Sequence, residues 1–234
     1  MDQDLCARVA DIRRRLDAAA LAKWGRAPEI IAVSKTVSAP RINEVKAAGI
    51  ARLGENRVQE TLEKLPYLDA AFQIDLIGRL QINKVKYIID KVSMIHSVDS
   101  LHLAQEIDKR AAQHGITMDI LIQVNSAQEE SKFGISTDET EGMIRDILDK
   151  CPNIRIRGLM CIAPFAENPE DVRVYFAQVK KLYDEYSSIE HKNLDFKYLS
   201  MGMSHDYEVA ILEGSNLIRV GTAIFGERDY SKKL

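Results

Sequence analysis

Leu5, Val9, Ile12 and Leu16 recur at spacings of four, three and four, the stripe of a helix that buries one face. That helix is expected to close near Trp24-Gly25, with Pro28 just beyond. Ile30-Ile31-Ala32-Val33 then forms an apolar run of the kind that makes a strand buried in a parallel sheet. From there strands and helices alternate. A helix is expected from 40 to 48, with Pro40 in its first turn and Gly49 at its end. Arg52-Leu53-Gly54-Glu55-Asn56 reads as a short second strand followed by a helix over 58–65, and 74–78 as a third followed by a helix over 81–89. Strand four spans 92–98, and Leu103, Ile107 and Ala111 mark the helix after it, closed by Gly115. Strand five spans 118–124 and leads to a helix striped by Ile144, Ile147, Leu148 and Cys151. Strand six (154–161) precedes a helix carrying Val172, Phe176, Val179, Tyr183 and Tyr186. Strand seven spans 196–199, its helix includes 207–212, and strand eight spans 217–220.

Eight strands alternating with helices predict a single (β/α)8 barrel with an extra helix before the first strand. A doubly wound open sheet is the second reading. No Pro/Gly/Ser-rich linker or low-complexity tract divides the chain, so 1–234 is expected to form one domain.

Composition narrows the function classes. The 234 residues are enough to bury a sizeable core, and 46% hydrophobic with 29% charged residues is ordinary for a globular protein. A net charge of −3 makes no electrostatic case for nucleic acid or an anionic membrane. Arg13-Arg14-Arg15 and Lys180-Lys181 read as solvated helix faces. Cys6, Cys151 and Cys161 are too few and scattered for a disulfide framework or a zinc site. The acidic start Met1-Asp2-Gln3-Asp4 is not that of a signal peptide, and no apolar run approaches the ~18 residues of a membrane span. A cytoplasmic protein is expected.

In a barrel of this kind ligands bind at the C-terminal ends of the strands. Lys35 closes strand one there, and a half-desolvated lysine amine can attack an aldehyde. A surface lysine ending a strand is the plain alternative. Strand two brings Glu55 and Asn56 to the same end, strand four His96, Ser97 and Asp99, and strand five Asn125 and the loop Glu130-Ser131-Lys132. Ser200-Met201-Gly202-Met203-Ser204 follows strand seven, and Arg219-Val220-Gly221-Thr222 strand eight. The loops after strands seven and eight are the usual phosphate position in such barrels. Gly202 would let the backbone approach an anion closely, and Ser204 can cap the helix it opens. Ordinary strand-to-helix turns, with Met201 and Met203 filling the core, are the alternative for either turn alone. Together with Lys35 they point to an aldehyde-bearing phosphate, pyridoxal 5′-phosphate.

Six segments carry a resemblance. They are Ala32-Val33-Ser34-Lys35-Thr36, Gly54-Glu55-Asn56-Arg57-Val58-Gln59-Glu60, Ile77-Gly78-Arg79-Leu80-Gln81-Ile82-Asn83-Lys84, His96-Ser97-Val98-Asp99-Ser100, Ser200-Met201-Gly202-Met203-Ser204-His205-Asp206 and Arg219-Val220-Gly221-Thr222-Ala223-Ile224-Phe225-Gly226. In this order they resemble the pyridoxal phosphate homeostasis protein family, related to the barrel domain of alanine racemase. The resemblance implies that Lys35 carries pyridoxal phosphate as a Schiff base. It implies phosphate contacts from Ser200, the Met201 and Gly202 backbone, Gly221 and Thr222, with Asn56 near the ring or its hydroxyl. It also implies that Arg219 faces the pyridine nitrogen. An arginine does not protonate that nitrogen, so the ring stays a weak electron sink.

Three positions depart from the family pattern. Ile74-Asp75-Leu76 replaces a usual aromatic–His pair, and strand alternation leaves open whether Asp75 points inward or outward. Ile82 replaces a serine and Asn216 a threonine. Lys132 matches a family lysine near the barrel mouth and reads as a second amine for cofactor hand-over or as a surface lysine.

The expected role is to bind, buffer or deliver pyridoxal phosphate, without robust catalysis. The alternative is a small racemase or decarboxylase using the same cofactor. Racemases of this fold take a tyrosine from a separate β-domain of the partner subunit, and only eight residues follow Gly226 here, so that domain is expected to be lacking. A Schiff-base aldolase is a third reading, disfavoured because aldolase lysines tend to lie on later strands. Apo-enzymes that require pyridoxal phosphate are expected partners, and a monomer is the expected state.

Overall fold

The computed structural model describes residues 3–25, 27–129 and 133–227. Helix α1 (Gln3–Trp24) precedes eight strands: β1 (Glu29–Val33), β2 (Arg52–Glu55), β3 (Gln73–Leu76), β4 (Met94–Val98), β5 (Met118–Val124), β6 (Ile154–Cys161), β7 (Leu194–Ser200) and β8 (Leu217–Val220). Between and after them lie α2 (Ala39–Asn43), α3 (Val58–Lys64), α4 (Val85–Ile88), α5 (Leu101–His114), α6 (Thr140–Lys150), α7 (Arg173–Ser187), α8 (Tyr207–Leu212) and α9 (Thr222–Phe225). Each strand pairs in parallel with the next, and β8 closes onto β1 through Glu29↔Leu217 to Ala32↔Val220. The sheet is a closed barrel, not an open one.

The unbroken apolar runs follow from burial on both faces. Ala32, Leu53, Leu76, Ile95 and Ile218 face outward to the helices, in one large core with Ile88, Leu103 and Phe176. Ile31, Val33, Ile77, Met94, Leu121 and Met160 belong to a separate cluster that fills the barrel. The interior is tight at β2, where a Cβ on Gly54 would lie 2.6 Å from Ile31 and 2.8 Å from Ile77. Each fully buried Leu or Ile contributes roughly 1.5–3 kcal/mol relative to exposure.

Helix α1 buries Leu5, Val9, Ile12 and Leu16 and packs against α8 and α9. Its arginine run lies on the solvated side. Arg13 donates to Gly49 O at 2.7 Å, Arg14 pairs with Asp11, and Arg15 lies 3.5 Å from Glu208.

Strand β3 ends at Leu76, two residues short of the expected 78, and β4 begins at Met94, two after the expected 92. Four further elements differ from the periodicity. The helix expected over 40–48 is α2 followed by a 3-10 turn at Glu44–Lys46, and that over 81–89 is a 3-10 turn at Ile82–Lys84 followed by α4. Strand β7 begins at Leu194, ahead of its aromatic run, because Leu194 is buried while exposed Asp195 pairs with Arg157. Residues Thr222–Phe225, beyond the last element the periodicity marks, form α9. Among the described residues no helix is long and apolar enough to cross a membrane, and no group of three or more His, Cys, Asp or Glu could hold a metal ion. The three cysteines are free.

Candidate functional site

Strand β1 pairs with β2 through Val33↔Gly54 and with β8 through Ala32↔Val220. The half-buried Lys35 therefore leaves the barrel rim between the ends of β2, at Asn56, and β8, at Gly221. Its two neighbours are held firmly. Ser34 is fully buried; its N–H donates to Gly54 O at 3.0 Å and its hydroxyl to Glu55 Oε1 at 2.7 Å. Thr36 has φ +63°, a left-handed conformation that β-branched residues avoid, and its N–H donates to Glu60 Oε1. From α3, Lys64 Nζ donates to Ser34 O at 2.7 Å, Glu55 Oε1 at 2.9 Å and Glu60 Oε1 at 2.6 Å. Burial pushes the Glu55 carboxyl above the usual carboxylate range, against the pull of Lys64 and Ser34. Glu55 Oε2 and Asn56 Oδ1 are buried without a hydrogen-bond partner. Asn56 sits under β3, whose chain approaches so closely that a Cβ on Gly78 would fall 2.3 Å from Asn56 O.

Inside the barrel a polar chain crosses from β2 to β8. Arg219 Nη1 donates to Ser200 O at 2.8 Å and Ser200 Oγ at 2.6 Å, and Nη2 donates to Cys161 O at 2.8 Å. Three of the five guanidinium N–H groups are thereby engaged by the barrel wall. Burial pushes Arg219 down to about 10, which leaves it charged at neutral pH. Ser200 Oγ lies 3.4 Å from His96 Nδ1, and His96 Nε2 lies 3.1 Å from Asp75 Oδ2. Asp75 also lies 3.4 Å from Arg52 Nε. Burial, with Arg219 and Arg52, holds the imidazole below its usual range despite Asp75, so His96 is neutral. Its proton sits on Nε2, facing the carboxylate, and Nδ1 accepts a hydrogen bond from the Ser200 hydroxyl. Asp75 therefore points inward. Ser200, expected at a phosphate, turns its hydroxyl into this chain and is fully buried.

The loop after β7 is shaped by Gly202 at φ +89°, where a Cβ would lie 2.8 Å from both Tyr207 Cα and Ala210 Cβ. Met201 is buried in the outer core, and its N–H donates to Leu217 O at 3.2 Å. Gly202 O accepts from Arg219 N at 3.0 Å, which ties the two turns together. Ser204 does not cap α8. A turn in which Met203 O accepts from Asp206 N delays that helix to Tyr207, and the Ser204 hydroxyl instead accepts from Ala223 N in α9 at 3.4 Å.

The fold thus brings Lys35, Asn56, Met201, Gly202, Gly221 and Thr222 to one rim, with Ser200 and Arg219 just inside it. Elsewhere on this rim, Ser97 Oγ donates to Gly78 O at 2.6 Å, and Asn125 Nδ2 donates to Glu129 O at 3.0 Å. Glu130, Ser131 and Lys132 lie outside the described residues. Glu60 closes one of the six resembling segments with no role implied for it, and Lys64 lies outside them all; their signal in the sequence is an acid four residues before a base on one helix face.

Residues 9–229 match the family model of the alanine racemase N-terminal domain. The chain is 43% identical over 228 residues to the pyridoxal phosphate homeostasis protein of Aquifex aeolicus, covering 96% of this chain and 99% of that one. It is 35% identical to the protein of the same name in Escherichia coli K12, covering 98% and 99%. The structure of PipY from Synechococcus elongatus PCC7942 with PLP bound superposes with a TM-score of 0.81 at 33% identity, covering 95% of this chain and all of PipY. An alanine racemase of Clostridium difficile, at 16% identity and a TM-score of 0.70, covers 97% of this chain and 57% of its own, and shares the fold. The chain belongs to the pyridoxal phosphate homeostasis protein family, within the wider class built on the alanine racemase N-terminal barrel.

Proposed function

We propose that this protein binds pyridoxal 5′-phosphate as a Schiff base on Lys35 and serves as a carrier or buffer of that cofactor. The observation that carries the reading is barrel closure: pairing of β1 with β8 sets Lys35 beside the glycine turn at Gly221, far away in sequence.

The residues present fit such a group. Asn56 Oδ1, buried and unpartnered at the next strand end, can accept a hydrogen bond from a ring hydroxyl. Two Arg219 N–H groups remain beyond the three engaged by the wall, and they would face the pyridine nitrogen. Gly202, Gly221 and Thr222 would hold the phosphate, with Met201 shaping the turn because its own amide is engaged by Leu217. Ser200 would serve this site through Arg219 and His96.

Pyridoxal phosphate supplies an aldehyde. The unprotonated Lys35 amine adds to that carbon, a C=N bond replaces C=O, and the oxygen leaves as water. A charged guanidinium opposite the ring nitrogen keeps that nitrogen unprotonated, which favours holding the group over carbanion chemistry. Enzymes that need pyridoxal phosphate would receive it, in the cytoplasm. A monomer of one domain suffices, since every group named comes from one chain.

The reading is tested by loading the protein with pyridoxal phosphate, reducing with borohydride and mapping the labelled peptide. Label on Lys35, with no amino acid turnover before reduction, is the expected result. Label on other lysines alone would refute it, and steady racemisation or decarboxylation lost in Lys35→Ala would make the protein an enzyme.

A further inference from the structure

Both neighbours of Lys35 are gripped by a single cluster of charged side chains. We propose that Glu60, with Lys64 and Glu55, positions Lys35 for its reaction with the aldehyde; this rests on Lys35 being the residue that bonds the cofactor. After Lys35, Glu60 Oε1 accepts the Thr36 N–H. Before it, Lys64 Nζ donates to Ser34 O at 2.7 Å, while the Ser34 hydroxyl donates to Glu55 Oε1 at 2.7 Å. The remaining two ammonium protons of Lys64 reach Glu55 Oε1 at 2.9 Å and Glu60 Oε1 at 2.6 Å, so all three are engaged.

Two features make this more than a structural tie. Lys64 and Glu55 are buried charges, 6% and 0% exposed, and buried ion pairs are a weak way to gain stability compared with apolar packing. Thr36 is also held at φ +63°, a conformation that persists only where its surroundings over-determine it. The contacts that do so meet the backbone at Ser34 and Thr36, the residues either side of Lys35. Glu60, Lys64 and Glu55 are therefore positioning residues, acting through the backbone that aims the Lys35 amine.

The test is the rate at which the Schiff-base absorption band forms when pyridoxal phosphate is mixed with the cofactor-free full-length protein. Borohydride trapping locates the label and a thermal melt is run alongside. Glu60→Ala removes the acceptor of the Thr36 N–H and is expected to form the band about tenfold more slowly or worse, the scale of misplacing a reacting group. Glu60→Gln keeps an oxygen in that place and is expected to restore the rate to within about threefold of the parent. Should Glu60→Ala not fold, Glu60→Asp carries the test, because it keeps the charge but withdraws the oxygen by one methylene. A merely structural role would lower the melting temperature and leave the rate alone, which would overturn the proposal. Equal slowing in Glu60→Ala and Glu60→Gln would overturn it too. Absence of label on Lys35 in the parent would instead remove the reading on which the proposal stands.

Discussion

Asp75 Oδ2 lies 3.1 Å from His96 Nε2, with both side chains fully enclosed by the barrel. An inward carboxylate at this position defines the proton on His96, and through Nδ1 the hydroxyl of Ser200 and the guanidinium beyond it. The chain ends where the cofactor ring is proposed to sit, so changes at Asp75 should be felt at Arg219.

Asp75→Asn keeps the shape and removes the charge that faces both His96 and Arg52. We expect a loss of about 1–3 kcal/mol in chemical denaturation, the cost of leaving buried donors poorly matched. An unchanged denaturation midpoint would mean that Arg52 and His96 do not depend on this carboxylate.

The depressed His96 pKa has a signed consequence. Below about pH 6.5 the unfolded chain takes up a proton that the folded imidazole refuses, so this group's contribution falls with acidification, by at most about 1.4 kcal/mol per pH unit. Glu55, whose carboxyl is raised, works in the opposite direction, losing stability as pH rises. Comparing the parent with His96→Gln isolates the imidazole: the difference in stability should narrow from pH 7.5 to pH 5.5. A constant difference would contradict a neutral His96.

Gly202→Ala places a methyl at φ +89° against Tyr207 and Ala210. A cost of about 1–3 kcal/mol is expected in denaturation, with weaker binding of pyridoxal phosphate in an absorbance titration. Unchanged binding would remove this turn from the phosphate site.

Arg219→Lys replaces a fork that reaches both Ser200 and Cys161 carbonyls with a single ammonium. Loss of these charged hydrogen bonds should weaken cofactor binding about tenfold to a hundredfold. Parent-like affinity would show that the guanidinium does not face the ligand.

Most of the barrel is legible in the sequence because a parallel sheet covered by helices writes itself as apolar runs such as Ile30–Val33 and Met118–Val124. The rim positions of Lys35, Asn56 and Gly202 follow once strand ends are marked. The direction of Asp75 does not. Flanked by Ile74 and Leu76, it lies in a strand buried on both faces, where alternation has no polar side to count from. The grip of Glu60 and Lys64 on Ser34 and Thr36 is also invisible, since it depends on α3 packing over the end of β1. The inward turn of the Ser200 hydroxyl needs His96 and Arg219 to be seen together, from strands distant in sequence.

Whether Lys35 bonds pyridoxal phosphate is decided by the visible absorption spectrum of the protein after dialysis with the cofactor, beside that of Lys35→Ala. A Schiff base on Lys35 gives a yellow parent whose band disappears on borohydride reduction and a colourless variant. A colourless parent, or a variant with the same band, would contradict it.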